Sequence, residues 1–196
     1  MSTRPFCNNR SIASEYTGFE YSPRIDHRAV SSNIYVVMGV SGAGKSLIGA
    51  SFARELGVEF VDGDDYHSAD NVKRMAEGIP LTDEDRAGWL RSLAARIRDA
   101  KESGTGLVVA CSALKRSYRD LLREAAPDLR LVFLEGPRAL IGRRISDRRG
   151  HYMPASLLDS QFAALEEPSP DEYPCVCDAS RPPQEILADL LVRASS

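Results

Sequence analysis

The chain has 196 residues, enough to bury one substantial core, and its length favours a single domain. With 25 Lys and Arg against 28 Asp and Glu it carries a net charge of -3. That balance argues against nucleic-acid binding as its main business, since such surfaces are strongly basic. No apolar run reaches the ~18 residues that would span a bilayer.

Residues 1–32 are polar and aperiodic and read as a disordered tail or an over-long start to the gene. They hold no apolar h-region of a secretory signal, and Glu15, Glu20 and Asp26 weaken a transit-peptide reading. Residues 33–196 read as the one domain. It opens on an apolar run, Ile34 to Met38, followed by Gly39-Val40-Ser41-Gly42-Ala43-Gly44-Lys45-Ser46. This is G-x-x-x-x-G-K-[ST] between a strand and a helix, the context in which the motif means a phosphate loop. Two glycines, a lysine and a hydroxyl residue at these offsets arise by chance in roughly one chain of this length in a hundred. Glycine lets consecutive N–H groups turn inward and, with the helix N-terminus, cradle phosphate. Lys45 then reaches the β- and γ-phosphates, and Ser46 offers Mg²⁺ its hydroxyl.

Leu47, Ile48, Phe52 and Leu56 recur at helical spacing, and Gly57 ends that helix. Val58 to Val61 reads as the second strand. It runs into Asp62-Gly63-Asp64-Asp65-Tyr66-His67, at the strand end where parallel α/β sheets bind ligands. A short helix is expected over Ser68 to Glu77. A second, opened by Thr82 and Asp85 in a capping-box-like start, runs to about Ser103 with Trp89, Leu90, Leu93 and Ile97 buried. Leu107 to Ala110 is the third strand, and Cys111 to Lys115 turns into a helix ending near Ala126. Leu129 to Leu134 is the fourth strand. Pro137 sits in the first turn of a helix that carries Arg138, Arg143, Arg144, Arg148 and Arg149 and breaks at Gly150. Pro154 starts a helix through Leu165, Pro174 to Cys177 is a short fifth strand, and Pro182 to Arg193 is the last helix. Strands alternating with helices predict an α/β fold with a parallel sheet. Cys7, Cys111, Cys175 and Cys177 show neither zinc spacing nor a disulfide framework. The thiols of Cys175 and Cys177 are expected on opposite faces of their strand. All four read as residues of a reducing cytosol, which places the protein in the cytoplasm.

Three classes share such a loop: small-molecule kinases, GTPases and motor-type or regulatory ATPases. A GTPase needs Asn-Lys-x-Asp to read guanine, and the sequence has none. Motor cores end a hydrophobic strand on an acid, whereas the third strand here ends in Cys111-Ser112. An acidic pair after the second strand, Asp62 and Asp64, suits a small-molecule kinase. Phosphoryl transfer asks for positioning and charge neutralisation. Arg144 and Arg148, four apart on a helix, face the same way, and arginines so crowded repel one another without an anion.

The phosphate loop, Asp-Gly-Asp-x-x-His, Gly-Ile-Pro-Leu-Thr-Asp-x-Asp-Arg-x-x-Trp-Leu, Cys-Ser-Ala-Leu-Lys-x-x-Tyr-Arg-Asp-x-Leu-Arg, Arg-x-Gly-His-x-Met and Ser-Gln-Phe-x-x-Leu-Glu occur in that order. Over roughly residues 34–192 the chain thus resembles the gluconate kinases of the small, shikimate-kinase-like type. The resemblance implies transfer of the ATP γ-phosphoryl to the 6-hydroxyl of D-gluconate with Mg²⁺. It implies a nucleoside-monophosphate-kinase-like P-loop fold with five parallel strands ordered 2-3-1-4-5, helices on both faces and an Arg-rich lid near 143–156. Family members are often homodimers. By the same resemblance Ser46 and Asp62 hold Mg²⁺, Asp64 accepts the sugar hydroxyl's proton, and Arg144 and Arg148 meet the phosphates, Arg148 at the transferring group. His67, Lys115, Arg119, His151 and Gln161 fall in family blocks and are expected to line the sugar site. Gluconate's carboxylate needs a cation far from the loop. Arg86 is the candidate, because a planar guanidinium pairs a carboxylate bidentately and a cation in a helix's first turn otherwise opposes its dipole. Two residues depart from the pattern. Leu47 replaces the usual Thr, removing a hydroxyl for the α-phosphate and slightly lowering nucleotide affinity. Gly88 stands where Pro often precedes the Trp. The competing readings are a kinase for another small hydroxy acid, such as shikimate, and a nucleotide-binding regulatory protein that has lost transfer.

Overall fold

A computed structural model describes residues 33–147 and 155–195. The expectations for the tail at 1–32, for Arg148, Arg149, His151 and Pro154 and for the break at Gly150 lie outside the described residues. Five strands form one sheet in the order β2-β3-β1-β4-β5, every neighbouring pair parallel. They are β1 Ile34–Met38, β2 Glu59–Asp62, β3 Leu107–Ala110, β4 Arg130–Glu135 and β5 Cys175–Asp178. The helices are α1 Lys45–Leu56, α2 Ala69–Ala76, α3 Asp83–Glu102, α4 Arg116–Ala125, α5 Arg138–Asp147, α6 Ala155–Ala164 and α7 Pro183–Ala194.

The central strands read as unbroken apolar runs because both faces of a parallel sheet are covered. In β1 the alternation of side chains then divides the core in two. Tyr35 and Val37 join Val108, Val132 and Leu134 against Phe52 of α1 and Ile186 and Leu190 of α7. Ile34, Val36 and Met38 join Val109 and Phe133 against Trp89, Leu93 and Ile97 of α3 and Leu122 of α4. Each large side chain so buried contributes about 1.5–3 kcal/mol. The caps hold as the sequence implies. Gly57 adopts φ 68 and closes α1, and Thr82 with Asp85 forms a full capping box on α3.

Two short 3₁₀ turns were not legible beforehand, Gly63–Tyr66 and Pro170–Glu172. The cysteine expectation is corrected: the Sγ atoms of Cys175 and Cys177 lie 3.9 Å apart. Side chains two residues apart on a strand share a face, and both thiols are free.

Candidate active site

The phosphate loop leaves β1 and enters α1. Gly42 adopts φ 81, and a Cβ there would stand 2.8 Å from Ile145 Cγ1 of α5, so the position needs glycine both for its dihedral and for the close approach. The Val40 carbonyl accepts from the Ala43 amide at 3.2 Å and from Lys45 Nζ at 3.0 Å, which folds the lysine along the loop. Helix α1 has no side-chain cap and no acid in its first turn. Its N-terminal amides are therefore of the kind an anion satisfies. A cleft of about 370 Å³ opens here, lined by residues 41–48, Asp64, Arg144, Ala179, Arg181, Pro183 and Ile186.

Asp64 reaches this cleft because Gly63 lets the end of β2 press on β3. A Cβ at Gly63 would meet the Ala110 carbonyl oxygen at 2.6 Å. The Asp62 carboxylate accepts from the Asp64 amide at 3.1 Å and caps the 3₁₀ turn, while Asp64 stays exposed in the cleft. Beneath them burial pushes the Cys111 thiol up to about 12, with the charges of Lys45, Asp64 and Asp62 all bearing on it. That thiol stays protonated at neutral pH.

On the far side of Asp64, His67 stacks on Trp89 with centroids 4.4 Å apart and planes 11° apart. Trp89 is fixed in turn by its Nε1–H, which donates to the Gly63 carbonyl at 2.6 Å. Burial lowers the His67 pKa, Asp64 opposes that shift and Arg86 adds to it, so the imidazole is neutral near pH 7. Its Nδ1 is buried and finds no hydrogen-bond partner among the described residues. Arg86 donates through Nη1 to the Leu81 carbonyl at 2.5 Å. The charges of Asp64 and Arg86 thus both bear on His67. Asp83 accepts from Lys115 Nζ at 2.7 Å and from the Tyr118 hydroxyl at 2.5 Å. Those bonds, that of Lys115 first, hold Asp83 below the usual carboxylate range. Lys115 is therefore committed to Asp83.

One sequence expectation is corrected. Arg119 does not line the sugar site. It is 2% exposed and grips Glu172 through Nε at 2.6 Å and Nη2 at 2.9 Å. Its Nη1 donates to the carbonyls of Ala113, Leu114 and Glu166, so protein acceptors take all three nitrogens. It steadies the turn at Ala113, which holds φ 43 without being glycine. Gln161 lies at the phosphate loop, where its Oε1 accepts the Ser41 amide at 2.7 Å. Arg144 lines the cleft at the phosphate loop and donates through Nη2 to the Ala179 carbonyl at 2.7 Å. Arg148 and His151 are outside the described residues.

Sequence reasoning missed the far end of the cleft, Ala179, Arg181, Pro183 and Ile186. The signal was available, since these residues follow a strand's C-terminal end, where such sheets bind ligands. It also took Trp89 as core alone, although the indole is both buried and the platform for His67.

For a divalent cation the candidate oxygen donors are Ser46 and Asp62. No group of three or more His, Cys, Asp or Glu gathers as a metal cage among the described residues. Sparse oxygen donors beside a phosphate cradle fit Mg²⁺, which keeps several waters and binds through substrate phosphates and one or two carboxylates.

A sheet of this order, with an anion cradle at its C-terminal edge and a carboxylate facing it, defines the phosphate-loop kinases of small molecules. A family model described as an AAA domain matches residues 34–168. The thermosensitive gluconokinase of Escherichia coli K12 is 47% identical over 147 residues, covering 72% of this chain and 76% of that protein. The gluconokinase of Gluconobacter oxydans is 42% identical, covering 80% and 88%. Among solved structures, a gluconokinase from Sinorhizobium meliloti superposes with TM-score 0.76 at 43% identity, over 84% of this chain and 94% of its own. An APS kinase of Mycobacterium tuberculosis, at 21% identity and TM-score 0.60 over 83% and 98%, shares the fold. The chain belongs to the gluconokinase family.

Proposed function

We propose that the protein transfers the γ-phosphoryl group of ATP to the 6-hydroxyl of D-gluconate, giving ADP and 6-phospho-D-gluconate. The observation that carries the reading is the cleft at the phosphate loop with the Asp64 carboxylate in its lining, in a chain of the gluconokinase family. A carboxylate so placed can orient the reacting alcohol of the sugar acid, whose own carboxylate needs a cation farther off. In this reading the loop amides and Lys45 hold the triphosphate. Asp64 orients the alcohol, whose oxygen forms the new bond to the γ-phosphorus as the bond to the bridging β–γ oxygen breaks. The alcohol is too weak an acid to ionise first, so its proton passes to Asp64 late. His67, neutral and stacked on Trp89, serves the hydroxyls of the sugar acid, and Arg86 pairs its carboxylate. Ser46 and Asp62 would hold Mg²⁺, which neutralises phosphate charge when bound. Arg144 serves the nucleotide, and Arg148 and His151 keep their proposed roles at the transferring group and the sugar. The free thiols of Cys111, Cys175 and Cys177 support a reducing, cytoplasmic setting.

Neither a shikimate-type specificity nor a binding-only protein is favoured by relatives named gluconokinase. Coupled ADP release over a panel of hydroxy acids separates the readings. Gluconate should support turnover far above the rest, and Lys45→Ala should abolish it with the fold intact. Equal turnover by shikimate, or undiminished turnover in the folded variant, would refute the proposal.

A further inference from the structure

Helices α5 and α6 lie some hundred residues from the phosphate loop in sequence, and both touch it in the fold. From α5, Ile141 and Ile145 close on Gly42, with a Cβ there meeting Ile145 Cγ1 at 2.8 Å and Ile141 Cγ2 at 3.2 Å. From α6, Gln161 Oε1 takes the Ser41 amide at 2.7 Å across 120 residues of sequence. The two helices are themselves joined: Arg138 Nε of α5 donates to Asp159 Oδ1 of α6 at 2.8 Å, and Leu158 buries α6 in the core beside Ile141. Gln161 therefore projects from an anchored helix, and its carbonyl fixes the Ser41 peptide plane. A primary amide suits the place. It accepts a backbone N–H as a carboxylate would, without setting a negative charge beside a triphosphate.

We infer that Gln161 is a positioning residue of the phosphate loop: it pins the Ser41 amide so that the amides after it are pre-set for phosphate, and it does not bind the sugar acid. The inference rests on the kinase reading for its meaning, but its test does not. Among the described residues the acceptor at residue 161 holds the Ser41 amide, so removing it frees the loop to sample conformations that must be narrowed again on binding. One neutral hydrogen bond contributes about two- to tenfold to an equilibrium.

The test uses the full chain with Gln161→Met, which keeps length and volume without an acceptor, and Gln161→Ala as a second variant. Three readouts apply: exchange of the Ser41 amide hydrogen, binding of ADP alone by calorimetry, and Michaelis constants for both substrates. Both variants should speed Ser41 exchange while leaving that of Ile48, which bonds the Gly44 carbonyl, unchanged. They should weaken ADP and raise the ATP constant about two- to tenfold, and leave the gluconate constant within about twofold. A merely structural role would lower melting temperature without that split. Unchanged Ser41 exchange, or a rise confined to the gluconate constant, would overturn the inference. Exchange and ADP binding involve no sugar, so failure of gluconate turnover in the wild type is a separate result.

Discussion

Arg86 illustrates how a single side chain can be read from what it opposes. It stands in the first turn of α3 beside three acids, Asp83, Glu84 and Asp85. Those acids suit the helix dipole, and the arginine does not. One nitrogen is occupied by the Leu81 carbonyl, which anchors the guanidinium and leaves the remainder for a ligand. Arg86→Ala should raise the Michaelis constant for gluconate about ten- to 150-fold, the range for a hydrogen bond to a charged group, with the ATP constant nearly unmoved. Equal rises in both would remove Arg86 from the carboxylate. Asp64→Asn should lower kcat about 10²- to 10⁴-fold, as loss of a proton acceptor does. At this scale the sequence was informative for the loop and the acids, whose roles follow from backbone position. It misled for Arg119 and was silent on the loop contact of Gln161. Membership in a motif says which block a residue occupies, not the direction in which its side chain points. Their partners, Glu172 and Ser41, lie 53 and 120 residues away.

Among elements, the turn at Ala113 depends on a buried clasp. Glu172 has a side chain 0% exposed, and it also accepts the Ser169 amide at 2.9 Å. Burial alone would raise its pKa. The bonds from Arg119 and Ser169, with the charges of Arg119 and Arg116, bring it below the ordinary value of 4.5 instead. Glu172→Gln leaves Arg119 buried without its counter-charge and should cost about 3–5 kcal/mol, a fall in melting temperature of roughly 6–20 °C. Because the folded pKa is depressed, this stabilisation is present above the ordinary carboxylate value and is lost as pH falls through the folded one. The gap between wild type and variant in chemical denaturation should therefore narrow on moving from pH 7 to below about 4. A gap that stays constant would show that the ion pair is not its source. Strands and long helices were legible because burial on both faces or on one stripe writes itself as apolar period. The 3₁₀ turn at Pro170–Glu172 was not, since what holds it is an ion pair to a distant helix.

For the whole molecule, the parallel order β2-β3-β1-β4-β5 brings the ends of β1, β2 and β5 to one edge. The loop, the acids and the Ala179–Ile186 wall of the cleft meet there, although they are spread from Gly39 to Ile186. Alternating elements made the class of fold plain, and the family resemblance supplied the strand order. The far wall of the cleft escaped notice because its residues carry no motif and acquire a role only by standing opposite α1. The central claim is that this edge delivers a phosphoryl group to the alcohol farthest from the carboxylate. Phosphorus NMR of a completed reaction of the protein with ATP, Mg²⁺ and D-gluconate tests it most directly. The account predicts a monoester signal split into a triplet by the two protons of C6, formed in step with ADP. An ester split by a single proton, or ADP formed with inorganic phosphate alone, would contradict it.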